Sequence, residues 1–121
     1  MSSAELEALQ RALADALRAV DPVAATRAVA ERPGLDEATR TALRAADPDG
    51  LRLTALLVAK LRFERVVRGS AAAGEWFDAD PAAFSDAFRC YHAEVPPTAS
   101  FPAAEAAAFL AWAGRSGPGL R

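Results

Sequence analysis

The sequence predicts an all-α protein, a compact bundle of about five to six short helices. Three observations predict this fold class. The turn signals between segments are Asp-Pro and Gly rather than the Asn-Gly that is typical of hairpins. Valine and isoleucine are too few and too poorly alternated for strands. Leucines recur at helical spacing. Hydrophobic residues are 52% of the chain but aromatic residues only 7%, so we expect a few large side chains to form the core.

The length of 121 residues predicts one domain, because a chain of this size can enclose a single core. We expect residues 1–115 to form this helical domain and residues 116–121 to be a flexible tail. The net charge of −2 gives no overall attraction to phosphate, which disfavours nucleic acid as a partner. A single cysteine cannot form an internal disulfide, and no apolar N-terminal run could act as a signal peptide or membrane span. We therefore expect a soluble, cytoplasmic protein.

The predicted helices begin at capping signals. Ser2, with Glu5 three residues later, can form a capping box at the start of the first helix. Pro33-Gly34 ends the second helix, and Asp36 can cap the third. An aspartate followed by proline recurs three times, and each pair favours a helix start because the aspartate accepts from free backbone N–H groups. These pairs are Asp21-Pro22, Asp47-Pro48 and Asp80-Pro81.

The fourth predicted helix differs from the first three because its apolar residues cover more than one face, so we expect it to be the central helix. Gly69 ends it. Its large apolar residues are Leu51, Leu53, Leu56, Leu57, Val58, Leu61, Phe63, Val66 and Val67.

The C-terminal part of the sequence predicts an aromatic helix, a proline break and a last helix. Residues 74–77 predict only a short turn of helix. Phe84, Phe88 and Tyr91 then fall at i, i+4 and i+7, so we expect this stripe to face the core. Two prolines prevent the helix from continuing, and a final helix begins near residue 102. The prolines are Pro96 and Pro97, and the final helix carries Phe109, Leu110 and Trp112.

The residues that could carry chemistry form no recognisable catalytic motif. Cys90 and His92 are two residues apart on a predicted helix, so their side chains diverge by about 200 degrees and are poorly placed to share a metal or act as a nucleophile and base. A small enzyme using Cys90 or His92 remains an alternative, but a structural role for both is favoured. An acidic group, consisting of Glu75, Asp78, Asp80 and Asp86, is interpreted as a solvated face rather than an acid-base pair.

Basic residues recur along the fourth predicted helix. Arg62, Arg65 and Arg68 follow one another every three residues and, with Lys60, give the helix a basic side. Such a side could receive an acidic peptide or a phosphate. The alternative is ordinary surface pairing with Glu64 and the acidic group.

The segment from residue 52 to residue 112 resembles a known group of helical proteins. A large apolar helix, an aromatic helix, a Pro-Pro break and a helix with a Phe-Leu ending follow in the same order. This order resembles the N-terminal helical region of the HvfC/BufC-type family and the small partner subunits of multinuclear non-haem iron-dependent oxidative enzymes, including the partner protein of thiaglutamate biosynthesis. The corresponding residues are Phe88, Tyr91, Pro96, Pro97, Phe109 and Leu110. HvfC-type proteins carry a further C-terminal domain that has no counterpart in this sequence.

The resemblance implies an accessory function. Such a protein binds an iron-dependent peptide-modifying oxidase as a heteromer and helps present a ribosomally made peptide for modification in natural-product biosynthesis. It implies no cofactor in this chain, since the iron would belong to the partner enzyme. The contact residues expected on this hypothesis are Arg62, Arg65, Arg68, Trp76, Phe77 and the loop Tyr91 to Phe101 with His92, Pro96 and Pro97. For Trp76 and Phe77, a place in the core is the alternative.

A helical DNA-binding or regulatory protein is the second hypothesis. It would need a basic recognition helix, and the face from Arg62 to Arg68 is the candidate.

Overall fold

The structure, a computed structural model, describes residues 2–97 and 101–116, and these residues form seven helices and no strand. The predicted all-α fold class is confirmed, with one helix more than the expected upper number. The predicted tail lies outside the described residues except for Ser116. The helices are α1 (Ser3–Leu17), α2 (Pro22–Ala30), α3 (Glu37–Ala45), α4 (Pro48–Gly69), α5 (Ala71–Ala79), α6 (Pro81–Glu94) and α7 (Pro102–Ser116).

The additional helix is α5. A short turn was expected at residues 74–77, but the helix begins earlier because the Ser70 hydroxyl caps it, accepting from the backbone N–H of Ala73 at 3.0 Å. Gly74 lies inside the helix and does not interrupt it. The capping signal was Ser70 followed by three alanines, which are strong helix formers.

The other predicted caps are confirmed. In each case a side-chain oxygen accepts from a backbone N–H three residues later, which satisfies a donor that the first helical turn leaves unpaired. The capping residues are Ser2, Asp21, Asp36, Asp47 and Asp80.

The chain divides into two compact units, Met1–Val58 and Ala59–Arg121, and the division falls within α4. The prediction of one domain stays a prediction. Among the helices of the described residues, none combines the length and the apolar character that crossing a bilayer requires.

In the first unit, α2 and α3 cap each other. Arg27 on α2 donates to the carbonyl oxygens of Leu43 and Ala46 at the end of α3, both at 2.8 Å. Arg40 on α3 donates in return to the carbonyl oxygens of Ala30, at 2.9 Å, and Arg32, at 3.1 Å. Each guanidinium thus supplies donors to carbonyls at or just beyond the C-terminal end of the other helix, where carbonyls lack intrahelical partners.

The turn between α2 and α3 depends on a glycine. Gly34 has a φ of +87°, a left-handed conformation that a Cβ disfavours. The sequence signal Pro33-Gly34 therefore marks the end of α2, as predicted.

In the second unit, an aromatic cluster forms the core. Phe84 is fully buried at its centre, with ring centroids 5.1 Å from Trp76 and 5.2 Å from Phe109. The predicted stripe of Phe84, Phe88 and Tyr91 does face this core. Most of the ring pairs meet edge to face, a favourable arrangement for aromatic side chains.

The end of α4 approaches the start of α7 closely. A Cβ at Gly69 would overlap the Pro102 carbonyl oxygen and would lie 2.8 Å from the Ala106 Cβ. Gly69 therefore allows a helix contact that no other residue could make without displacing the backbone.

Four leucines of α4 are not in the core. Leu53, Leu56, Leu57 and Leu61 are each about half exposed or more, whereas Arg62 is buried. The expectation that α4 would bury its leucines as a central helix is wrong for these four. Its two buried residues, Arg62 and Val66, lie on the side of the helix away from these leucines.

Candidate functional site

A buried polar network joins three helices of the second unit. Arg62 on α4 donates from Nε to Glu105 Oε1 on α7 at 2.8 Å, and Glu105 Oε2 accepts from the Tyr91 hydroxyl at 2.8 Å. Arg62 Nη1 also donates to the carbonyl oxygen of Val95, at 2.7 Å. We call these residues, together with His92, the Arg62 network. Its charged members are buried, because Arg62 is 4% exposed and Glu105 is 1% exposed.

The local sequence explains why these side chains point inward. Glu105 lies one helical turn before Phe109 on α7, so it shares the face of the helix that packs on the core. Tyr91 follows Phe84 by seven residues on α6 and shares its buried face in the same way. The network therefore lies beside the aromatic cluster, where the polar atoms must pair with one another.

The electrostatics of the network favour an ionised Glu105 and a neutral Tyr91. Burial raises the pKa of Glu105, but the hydrogen bonds from Arg62 and Tyr91 lower it by a larger amount. The pKa of Glu105 therefore lies below its ordinary value. Burial raises the pKa of Tyr91, and its hydrogen bond to Glu105 adds to the increase. The Arg62 guanidinium also lies 4.5 Å from the centre of the Tyr91 ring, a cation–π distance.

His92 adjoins the network through one ring nitrogen. Its Nδ1 lies 3.3 Å from Arg62 Nη1, and an arginine can only donate, so Nδ1 acts as the acceptor and carries no proton in this contact. The ring stacks on Phe88 with an interplanar angle of 12°. The buried side chain is thus held in one orientation on α6.

A second feature lies on the surface of the same unit. A groove of about 390 Å³ is lined by Leu61, Glu64, Arg65, Arg68 and Pro102, and we call it the basic groove. Arg68 is exposed and makes no ion pair with any other described residue.

The neighbourhood of the basic groove is apolar as well as basic. Leu61 is 61% exposed, and Phe101, which directly precedes Pro102 in the chain, is 74% exposed. A cationic surface with exposed apolar side chains can bind a segment that is both acidic and apolar.

The structure separates the three predicted basic contacts. Arg65 and Arg68 line the basic groove, but Arg62 points into the core of the unit and pairs with Glu105. The expected basic side of α4 therefore lacks Arg62 as a surface residue. A contact role for Arg62 would require breaking a buried ion pair, which is energetically costly.

The predicted aromatic contacts lie largely inside. Trp76 and Phe77 are half-buried and pack against the core cluster. Their position therefore matches the alternative given in the sequence analysis, a place in the core, and not an exposed contact surface. Tyr91 and His92 are buried in the Arg62 network. Pro96, Pro97 and Phe101 are exposed, as a contact loop requires, and residues 98–100 of the predicted loop lie outside the described residues.

The other candidate residues are dispersed. Cys90 is exposed whereas His92 is buried, so the two side chains point in different directions as their spacing predicted. Glu75 and Asp78 are exposed, and Asp86 pairs with Arg89 on the surface of α6. Within the described ranges, no three His, Cys, Asp or Glu side chains group closely enough to hold a metal ion.

Sequence reasoning missed Glu105, the acid at the centre of the network. A signal was present, since Glu105, Phe109 and Trp112 recur at i, i+4 and i+7 and so share one helical face. A carboxylate on an otherwise apolar face predicts a buried acid that needs a cationic partner. The partner could not be chosen from the sequence alone, because several arginines precede it.

Comparison with known proteins gives no assignment. The sequence matches no protein-family model, and no curated protein or solved structure is significantly similar to it.

Proposed function

We propose that this protein is a partner-binding accessory subunit that contacts its partner through the basic groove and the neighbouring Phe101. The observation that carries the proposal is the combination of exposed Arg68 with the exposed apolar side chains of Leu61 and Phe101. Phenylalanine and arginine are both enriched in protein interfaces, and arginine is among the residues that most often dominate the binding energy.

The chemistry of the surface indicates an acidic segment with an apolar anchor as its ligand. Arg65 and Arg68 provide two guanidinium groups for carboxylates, while Leu61 and Pro102 provide an apolar floor. Glu64 lines the same groove, and it would disfavour a ligand carboxylate in its vicinity. Arg68 is therefore the residue we expect to contribute most to charge recognition.

The choice of partner in this proposal rests on the resemblance described above. We propose that the partner is an iron-dependent peptide-modifying oxidase, which would supply the iron and the chemistry, and that a ribosomally made peptide is presented to it. The Arg62 network holds three helices of this unit in place, so we assign it a structural role in this proposal.

The first experiment is co-expression of the tagged protein with the products of the genes adjacent to its own. We expect a stable complex that contains iron and, by mass spectrometry, a peptide. Recovery of the protein alone and without iron would contradict an oxidase partner. DNA binding with a steep salt dependence would instead favour the regulatory hypothesis.

The second experiment tests the surface. Arg68→Glu and Phe101→Ala should each weaken partner binding by about tenfold or more in a titration with the purified partner. Arg89→Glu is the matched control, since Arg89 is an exposed arginine on α6 outside the groove. Equal affinities for Arg68→Glu and the control would exclude the basic groove as the contact surface.

A further inference from the structure

The only histidine in the sequence lies buried against an arginine. His92 is 8% exposed, its ring stacks on Phe88, and its Nδ1 lies 3.3 Å from Nη1 of Arg62. Because a guanidinium can only donate, this contact requires a ring that carries no proton on Nδ1. The folded second unit therefore holds His92 with Nδ1 as an acceptor.

Proton uptake at Nδ1 would replace the acceptor in this contact by a donor. The imidazolium N–H and the Arg62 N–H would then face each other, with two positive charges at the separation where a hydrogen bond now forms. Burial adds to the cost, because a charged ring inside the protein loses the hydration that it has in the unfolded chain. The folded state thus opposes protonation of His92.

The acidic groups around the ring are already used. Glu105 on α7 accepts from Arg62 Nε at one carboxylate oxygen and from the Tyr91 hydroxyl at the other. Arg65 on α4 adds a second positive charge, which contributes to the lowered pKa of Glu105. Glu94, the acid closest to the ring in the sequence of α6, is exposed. A protonated ring would therefore be a third cation beside a single buried carboxylate.

The C-terminal end of α6 does not favour a second cation either. His92 lies in the last turn of α6, where carbonyl groups without intrahelical partners attract positive charge. Arg62 already occupies this position, since its Nη1 donates at 2.7 Å to the carbonyl oxygen of Val95, the C-cap residue. The same arginine nitrogen thus contacts both the His92 ring and the end of the helix.

We propose that His92 is a proton-sensitive switch that holds the end of α6 in place. At neutral pH the ring accepts from Arg62. In weakly acidic solution Nδ1 takes up a proton from the solvent, the ring and the guanidinium separate, and Arg62 loses its contact with Val95. The end of α6 and the exposed Pro96 and Pro97 that follow it are then released from the unit. This inference goes beyond the proposed function, and its test needs no partner.

An NMR titration of the wild-type protein tests the protonation directly, because a chain with one histidine gives one imidazole Cε1–H signal. An unperturbed histidine takes up its proton with a midpoint at about pH 6.5. We expect the folded protein to show a midpoint below about pH 6, and the urea-unfolded chain to show the unperturbed value. A folded midpoint at about pH 6 or above would overturn the proposal, since the fold would then accommodate the charged ring.

Hydrogen exchange in the same titration tests the release of the helix end. The backbone N–H of Val95 donates to the Tyr91 carbonyl oxygen at 2.8 Å, and the N–H of Phe84 at the other end of α6 donates to the Asp80 carbonyl oxygen at 3.0 Å. We expect the protection of the Val95 N–H to fall with the midpoint of the His92 signal, while the Phe84 N–H stays protected. A Val95 protection factor that is constant while His92 takes up its proton would contradict the switch.

Urea denaturation between about pH 5 and 7 measures the effect on stability. The unfolded chain takes up the histidine proton first as the pH falls below about 6.5, so the folding equilibrium constant should decrease by up to about tenfold per pH unit. This window lies above 4.5, the ordinary pKa of Glu105. His92→Asn keeps an acceptor for Arg62 but does not titrate, so it should flatten the dependence. Glu94→Gln, an exposed control on the same helix, should keep the wild-type slope. A wild-type slope in His92→Asn would exclude His92 as the responsible group.

Discussion

Arg62 and Glu105 form an ion pair at 2.8 Å that joins α4 to α7 across 43 residues of sequence. Both side chains are almost completely buried, whereas the leucines at positions 57 and 61 of the same helix are exposed. The helix thus directs a charged residue inward and aliphatic residues outward. Because a buried charge without a partner is strongly unfavourable, the ion pair makes the position of α7 relative to this part of α4 specific.

Removing one member of the ion pair should destabilise the protein. Arg62→Met leaves the Glu105 carboxylate buried with only the Tyr91 hydroxyl as a partner, so we expect a loss of about 3–5 kcal/mol in the free energy of unfolding. Urea denaturation measures this change. Arg89→Met, which breaks the exposed pair with Asp86, is the control and should cost less than about 1 kcal/mol. Similar losses for both variants would contradict a buried, structural ion pair.

The network should give the protein two pH limits. Because the pKa of Glu105 is lowered in the folded state, the unfolded chain takes up this proton first as the pH falls below the ordinary value of 4.5. The stabilisation by the ionised carboxylate is therefore present above that value and is lost as the pH falls through the folded pKa. Glu105→Gln should flatten this acid dependence in urea denaturation measured across pH.

The alkaline limit has the opposite sign. Because the pKa of Tyr91 is raised on folding, the unfolded chain loses the phenolic proton first as the pH rises above 10.0. The stabilisation by the neutral Tyr91 hydroxyl is fully present below this pH, and it is lost as the pH rises through the folded pKa. Tyr91→Phe should remove this decrease, and an alkaline dependence identical to that of the wild type would refute the assignment to Tyr91.

Gly69→Ala should destabilise the contact between α4 and α7. The added methyl group would overlap the Pro102 carbonyl oxygen, so the backbone must shift, at a cost of about 1–3 kcal/mol. Gly114→Ala is the matched control because its Cβ meets nothing within 4 Å in α7, and it should stabilise the helix by about 0.5–1 kcal/mol. Thermal denaturation should therefore shift in opposite directions for the two variants.

The reciprocal caps of α2 and α3 should also be measurable. Arg27→Ala removes two charge-assisted hydrogen bonds to carbonyls of the α3 terminus, and we expect it to cost about 1.5–3 kcal/mol in unfolding free energy. Arg44→Ala breaks only an exposed ion pair with Glu31, which solvent screens, so it should cost clearly less than Arg27→Ala. Equal effects would show that the caps do not stabilise the unit.

The helices of this protein could be predicted from the sequence because their signals are local. Each aspartate or serine cap lies three residues from the N–H group it accepts from, and the prolines and Gly34 mark the ends. Only α5 was underestimated, because residues 74–77 alone were predicted to be helical and the cap at Ser70 was not identified.

The orientation of α4 could not be predicted in the same way. Its sequence carries leucines on one face and Arg62 and Val66 on another, and helical periodicity does not state which face is buried. The choice depends on Glu105, a residue 43 positions later whose contact with Arg62 no local pattern predicts. For the same reason the predicted basic face, with Arg62 at one end, retains only Arg65 and Arg68 in the groove.

The distance in sequence between Arg62 and Glu105 has a consequence for folding during synthesis. The capping contacts of α2 and α3 span at most 19 residues, so they can form soon after α3 leaves the ribosome. Arg62 emerges long before its acidic partner and must remain hydrated until α7 has been translated. The second unit can therefore close only after α7 has emerged from the ribosome, when Glu105 makes burial of the arginine favourable.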